Sequence, residues 1–152
     1  MGVIGISHVA VGVRDMDRAL LFYRDLIGLE VTLDIEEGGF GPSREERRRA
    51  VYLRRPGATD PHDFFIVLDQ QLTREPFGAA PRLFELGTHH FSFWVDDIEE
   101  RFERIAAAGF KIIVAPNATD AKAYGEPAGS GRVATTLFKD DDGNVVQLDM
   151  RV

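Results

Sequence analysis

The 152 residues are enough for one domain with a real hydrophobic core, and the absence of Cys removes disulfides, thiolate metal sites and cysteine nucleophiles, leaving His, carboxylate and amide donors. A formal charge of −7 opposes extended contact with phosphate backbones, and no apolar stretch approaches the roughly 18 residues of a membrane span, so neither nucleic acid nor membrane is an expected partner. The opening MGVIGISHVAV carries no basic, cleavable leader, and a soluble cytoplasmic protein is expected.

In chain order, the first predicted element is a strand from His8 to Val13, with Val9, Val11 and Val13 on the core face and His8, Ala10 and Gly12 opposite. The period then becomes helical, with Met16, Leu20, Tyr23 and Ile27 on the apolar face, Asp15 placed to cap the start and Gly28 to end the helix. Strands are predicted over 30–35, 50–54 and 64–69. Between the first two, SREERRR reads as a solvated loop or strand entry, with a local anion clamp as the alternative. His62, in the turn-like ATDPHD, is expected to serve local hydrogen bonding.

After a crossover over 70–87, containing Pro76, Gly78 and Pro81, the pattern repeats. At an offset of 82, His8 meets His90, Val13 meets Val95, Asp15 meets Asp97 and Met16 meets Ile98; at 81, Gly28 meets Gly109. Asp97 with Glu100 suggests a capping box, and Ile98, Phe102, Ile105 and Ala106 form the apolar face of the second helix. Strands follow over 111–115, 132–139 and 145–150, the last two joined by the turn DDDGN. The whole chain is therefore read as one α+β domain of two βαβββ modules, 1–72 and 86–152.

Strand parity puts His90, Ser92 and Trp94 on one face of the second module, and Gln147 with Asp149 on one face of its last strand. A lone strand His has a structural reading, but two at matching places in a repeat also suit a shared metal. His89 should point away from His90, and Asp149 reads as an exposed C-terminal acid or as a source of charge for a nearby ion. The stretch from Asn117 to Arg132 is either a pocket cover or an ordinary surface loop.

SHVAVGVRDMDRALLFYRDLIGLEV, THHFSFWVDDI and FKDDDGNVVQLD together resemble the glyoxalase, bleomycin-resistance and extradiol-dioxygenase superfamily, the vicinal oxygen chelate proteins. The resemblance implies cup-shaped mixed sheets, a homodimer, and a divalent metal (Fe, Mn, Ni or Zn) on His8, His90 and Gln147. Gln147 stands where the dioxygenases have Glu, Val67 where other members have a ligand, and Leu137 where a catalytic Tyr would fall. Two functions follow as expectations: a metal-dependent lyase, isomerase or dioxygenase acting on an oxygenated small molecule, or a metal-free protein that sequesters an aromatic or antibiotic-like compound. Phe65, Trp94 and Tyr124 would wall its pocket, with Val67, Ser92, Leu137 and Asp149 beside them.

Overall fold

A computed structural model describes residues 2–152 and divides the chain into two compact units, 1–78 and 79–152. The first contains β1 (His8–Val13), α1 (Met16–Leu20), β2 (Glu30–Phe40), β3 (Glu46–Arg54) and β4 (Phe65–Gln71). The second contains β5 (Phe91–Trp94), α2 (Ile98–Ala107), β6 (Lys111–Asp120), β7 (Arg132–Lys139) and β8 (Val145–Arg151). Each unit is a four-stranded mixed sheet, ordered β1-β4-β3-β2 and β5-β8-β7-β6, with its first and last strands parallel and the other pairs antiparallel. Both are βαβββ, as the repeat predicts.

In the first unit, Asp15 caps α1 by accepting from the amides of Asp17 and Arg18, at 3.0 and 3.1 Å. The expected apolar face, Met16, Leu20, Tyr23 and Ile27, is buried, but the helix does not stay α-helical along its length. Residues Leu21–Leu26 form a π-helical turn, in which the amide of Ile27 donates to the Phe22 carbonyl at 2.8 Å. Widening this turn brings consecutive aromatics inward, so Phe22 is buried along with Tyr23, their rings edge to face at 5.0 Å. Val11, Val51, Leu53, Ile66 and Leu68 complete that core. Gly28 then turns the chain at φ 88°, a left-handed conformation that a Cβ disfavours.

The arginine run leads into and begins strand β3, the strand entry that the sequence allows, and its charges are paired within the sheet rather than held as an anion clamp. Arg49 pairs with Asp34 at 2.7 Å, Arg48 with Glu37 at 2.6 Å and Asp69 at 2.7 Å, and Arg47 with Glu36 at 3.2 Å. Cross-strand acids thus satisfy the charges that the sequence left open.

In the second unit, Ile98 and Ile105 of α2 pack over a sheet core of Phe138, Val146 and Leu148. The capping box does not form. Asp97 instead pairs with Arg101, one turn on, through two bonds of 2.8 Å, a charge-assisted fork that wins over amide capping. Strand β6 runs past Pro116, where the sequence suggests an end, because it is the sheet's edge strand and bulges there. A missing N–H breaks no ladder bond at such a place. The bulge leaves the Val114 carbonyl to accept from the buried Thr136 hydroxyl at 2.7 Å.

Candidate functional site

In the second unit the strand faces assemble a cavity of about 570 Å³, lined by His90, Ser92, Trp94, Thr119, Ala123, Tyr124, Thr135, Gln147 and Asp149. The register explains the grouping. Ser92 lies beside Gln147 and Trp94 beside Asp149 on the parallel β5–β8 pair, while Thr135 lies opposite Asp149 on β7. Tyr124 arrives on a 3₁₀ turn, Ala121–Tyr124, that follows β6. Its ring leans on Trp94 at 5.8 Å between centroids.

Asp149 is the hub of this site and not an exposed terminal acid: it is 2 % exposed. The Tyr124 hydroxyl donates to it at 2.6 Å, the Ser92 hydroxyl donates to its other oxygen, and the Gln147 amide donates to both oxygens at 2.9 and 3.1 Å. A carboxylate is the acceptor that draws in the NH₂ side of an amide, so Asp149 sets the orientation of Gln147 and leaves its carbonyl oxygen outside this network. Burial first, and then the hydrogen bond to Asp149, push the Tyr124 phenol above its ordinary range and keep its proton in place.

His90 precedes β5 rather than lying within it, so strand parity does not govern its neighbour. His89, expected to point away, instead meets it Nδ1 to Nδ1 at 2.7 Å. Burial and then the field of His89 lower the His90 pKa, against an opposing pull from Asp149, and favour a neutral imidazole at pH 7. Leu137 stands opposite Gln147 in the register but is not among the residues that line the cavity.

His8, Phe65 and Val67 belong to the first unit. His8 stacks on Phe65 at 4.8 Å and 17°, with its Nδ1 2.7 Å from the Ser7 hydroxyl, and the Arg54 guanidinium lies 4.7 Å from the Phe65 centroid. Phe65 lines a separate, small cavity of about 170 Å³ with Ser7, His62 and Asp63. Val67 is buried between Ala10 and Tyr52 in the strand registers. Among the described residues, no three His, Cys, Asp or Glu side chains cluster as a metal site.

Three lining residues escaped the sequence reading. Thr135 shares a face with Leu137, and parity alone could have found it. Thr119 and Ala123 lie beyond Pro116, where the strand was expected to have ended.

A model of the Glyoxalase/Bleomycin resistance protein/Dioxygenase superfamily matches residues 5–148. No protein of curated function matches the chain. Among solved structures, a glyoxalase family protein from Bacillus cereus shares 16% identity at a TM-score of 0.76, over 100% of this chain and 97% of that one. A glyoxylase/bleomycin resistance protein/dioxygenase domain from Frankia shares 21% at 0.65, over 99% and 94%. The fosfomycin resistance protein FosX from Listeria monocytogenes, solved with Mn(II) and sulfate, shares 17% at 0.58, over 98% and 93%. With two βαβββ sheets and a family match spanning nearly its whole length, the chain belongs to the glyoxalase/bleomycin resistance protein/dioxygenase superfamily.

Proposed function

We propose that the second-unit cavity binds an oxygenated small molecule and that His90 and Gln147 hold a divalent ion there, making the protein a metal-dependent enzyme of the lyase, isomerase or dioxygenase kind. The observation that carries this reading is the orientation of Gln147. Its NH₂ is committed to Asp149, and its carbonyl oxygen is the atom left to coordinate. The donor chemistry fits such an ion: a neutral imidazole, an amide oxygen, and a buried carboxylate behind them to offset the charge. The internal repeat adds His8 as the third candidate donor on sequence grounds, and the structure of FosX solved with Mn(II) supports a divalent ion in this reading. A bound ion would act as a Lewis acid on the substrate oxygens. Ser92 and Tyr124, whose own protons go to Asp149, would accept from hydroxyl or amine groups of the substrate within the cavity.

Calorimetric titration of chelator-treated protein with Mn(II), Ni(II), Zn(II) and, anaerobically, Fe(II) tests this. Binding is expected at pH 7.5 and is expected to weaken only on the acid side of the ordinary imidazole range, because burial lowers the pKa at which His90 takes up a proton. His90→Ala should abolish it. If His8→Ala leaves it intact, the ion belongs to the second unit alone. Gln147→Glu should tighten binding about tenfold, because the new carboxylate faces Asp149 and the ion relieves their repulsion. No binding by wild-type protein would discard the metal reading. The exposed Trp94, 58 % accessible, and its neighbour Tyr124 support metal-free sequestration of an aromatic compound as the second reading.

A homodimer is proposed as well, supported by the exposure of Phe77, Phe84 and Leu86. Light scattering should return twice the 16.9 kDa of the chain, and a monomer mass at micromolar concentration would count against it.

A further inference from the structure

The repeat supplies an internal control for Asp149. In the first sheet Gly12 lies beside Asp69, and in the second Trp94 lies beside Asp149, so the two acids hold matching positions. Ala50 and Thr135 stand opposite them, and two residues earlier on those strands come Arg48 and Val133. Asp69 has its cation, since the Arg48 guanidinium is 2.7 Å away. In the second sheet that position is a fully buried valine, and among the described residues Asp149 forms no salt bridge. Its partners are two hydroxyls and an amide.

Those partners are altered by what they donate to. Ser92 and Tyr124 each have a single O–H, which points at Asp149, and the Gln147 NH₂ donates to Asp149 and to the Tyr124 oxygen at 3.3 Å. What they offer a ligand is acceptor capacity alone. This side of the cavity, formed by Ser92, Tyr124 and Gln147, is therefore a row of acceptors backed by the buried Asp149 carboxylate, beside the faces of Trp94 and Tyr124, while Thr119, Thr135 and His90 line the remainder. A group with donors and no acceptors, carrying positive charge, complements that side in both hydrogen bonding and charge. The nearby Arg151 is committed to Glu126, and its guanidinium lies 5.1 Å from the Trp94 centroid, so this ring already accepts a cation.

Building on the small-molecule reading of this cavity, we propose that its ligand carries an organic ammonium group, which seats against Trp94 and Tyr124 over the acceptors that Asp149 orients. Trp94 is the chain's single tryptophan, so its fluorescence reports on this site alone. Chelator-treated protein is titrated with 2-phenylethylammonium, its neutral analogue 2-phenylethanol and the anion 3-phenylpropionate. The ammonium should quench saturably with at least tenfold higher affinity than the alcohol, and the anion should bind most weakly. Asp149→Asn should remove the preference for ammonium, while Asp69→Asn, at the matching place in the first unit, should keep it; circular dichroism on both variants checks folding. Equal affinity of wild-type protein for ammonium and alcohol overturns the proposal without recourse to any variant, as does a preference that survives in Asp149→Asn. Failure of all three probes overturns it too. If that same protein binds Mn(II) or Ni(II), the ammonium assignment alone has failed; if it binds neither, the cavity is not the functional site.

Discussion

In the first module the guanidinium of Arg48 is clasped between Asp69 and Glu37; in the second, the corresponding Asp149 faces two hydroxyls and an amide. The same strand positions thus make a closed ion pair in one copy and an open acceptor surface in the other. Burial raises the Asp69 pKa against the pull of Arg48. Duplication permits this division. One copy settles its charge internally, and the other keeps it for what enters the cavity.

The helices differ in the same sense, and their difference can be broken by substitution. The π turn in the first module buries Phe22 completely, whereas Phe102 on the regular α2 is only half-buried against Phe138. Phe22→Ala should cost about 3–5 kcal/mol and Phe102→Ala clearly less, as read from urea midpoints. Equal losses would mean that the π turn contributes nothing to the packing. A smaller effect separates the two helix starts. Asp15 caps α1, so Asp15→Ala should cost about 1 kcal/mol, while Asp97→Ala loses only an i,i+4 ion pair worth about 0.3–0.5 kcal/mol. A larger loss at Asp97 would show that its bidentate pair with Arg101 does the work of a cap.

The repeat, the order of elements and both glycine stops were legible because they rest on local rules: alternation, helical period and the left-handed turn. Gln147 and Asp149 were placed on one face by the same parity. The errors fell where one of several possible partners won, or where a strand boundary was misjudged, and only the arginine run turned on partners distant in sequence. Asp97 had the right neighbours for a capping box, yet Arg101 took its carboxylate. The arginine run looked solvated because its acids lie on other strands, β2 and β4. His89 was misplaced because β5 begins one residue after His90, and parity holds only inside a strand.

From sequence alone came the duplicated βαβββ plan, the family it resembles and most of the candidate site, including His90, Ser92, Trp94 and Gln147. Only the tertiary structure decided the state of Asp149. Its position near the chain's end suggested solvent, whereas hydrogen bonds from Ser92, 57 residues away, and from Tyr124, 25 away, enclose it. Burial is a sum over every element packed around a group, and no local pattern carries that sum. The charge that gives the cavity its chemistry therefore became visible only when three separate segments met around it.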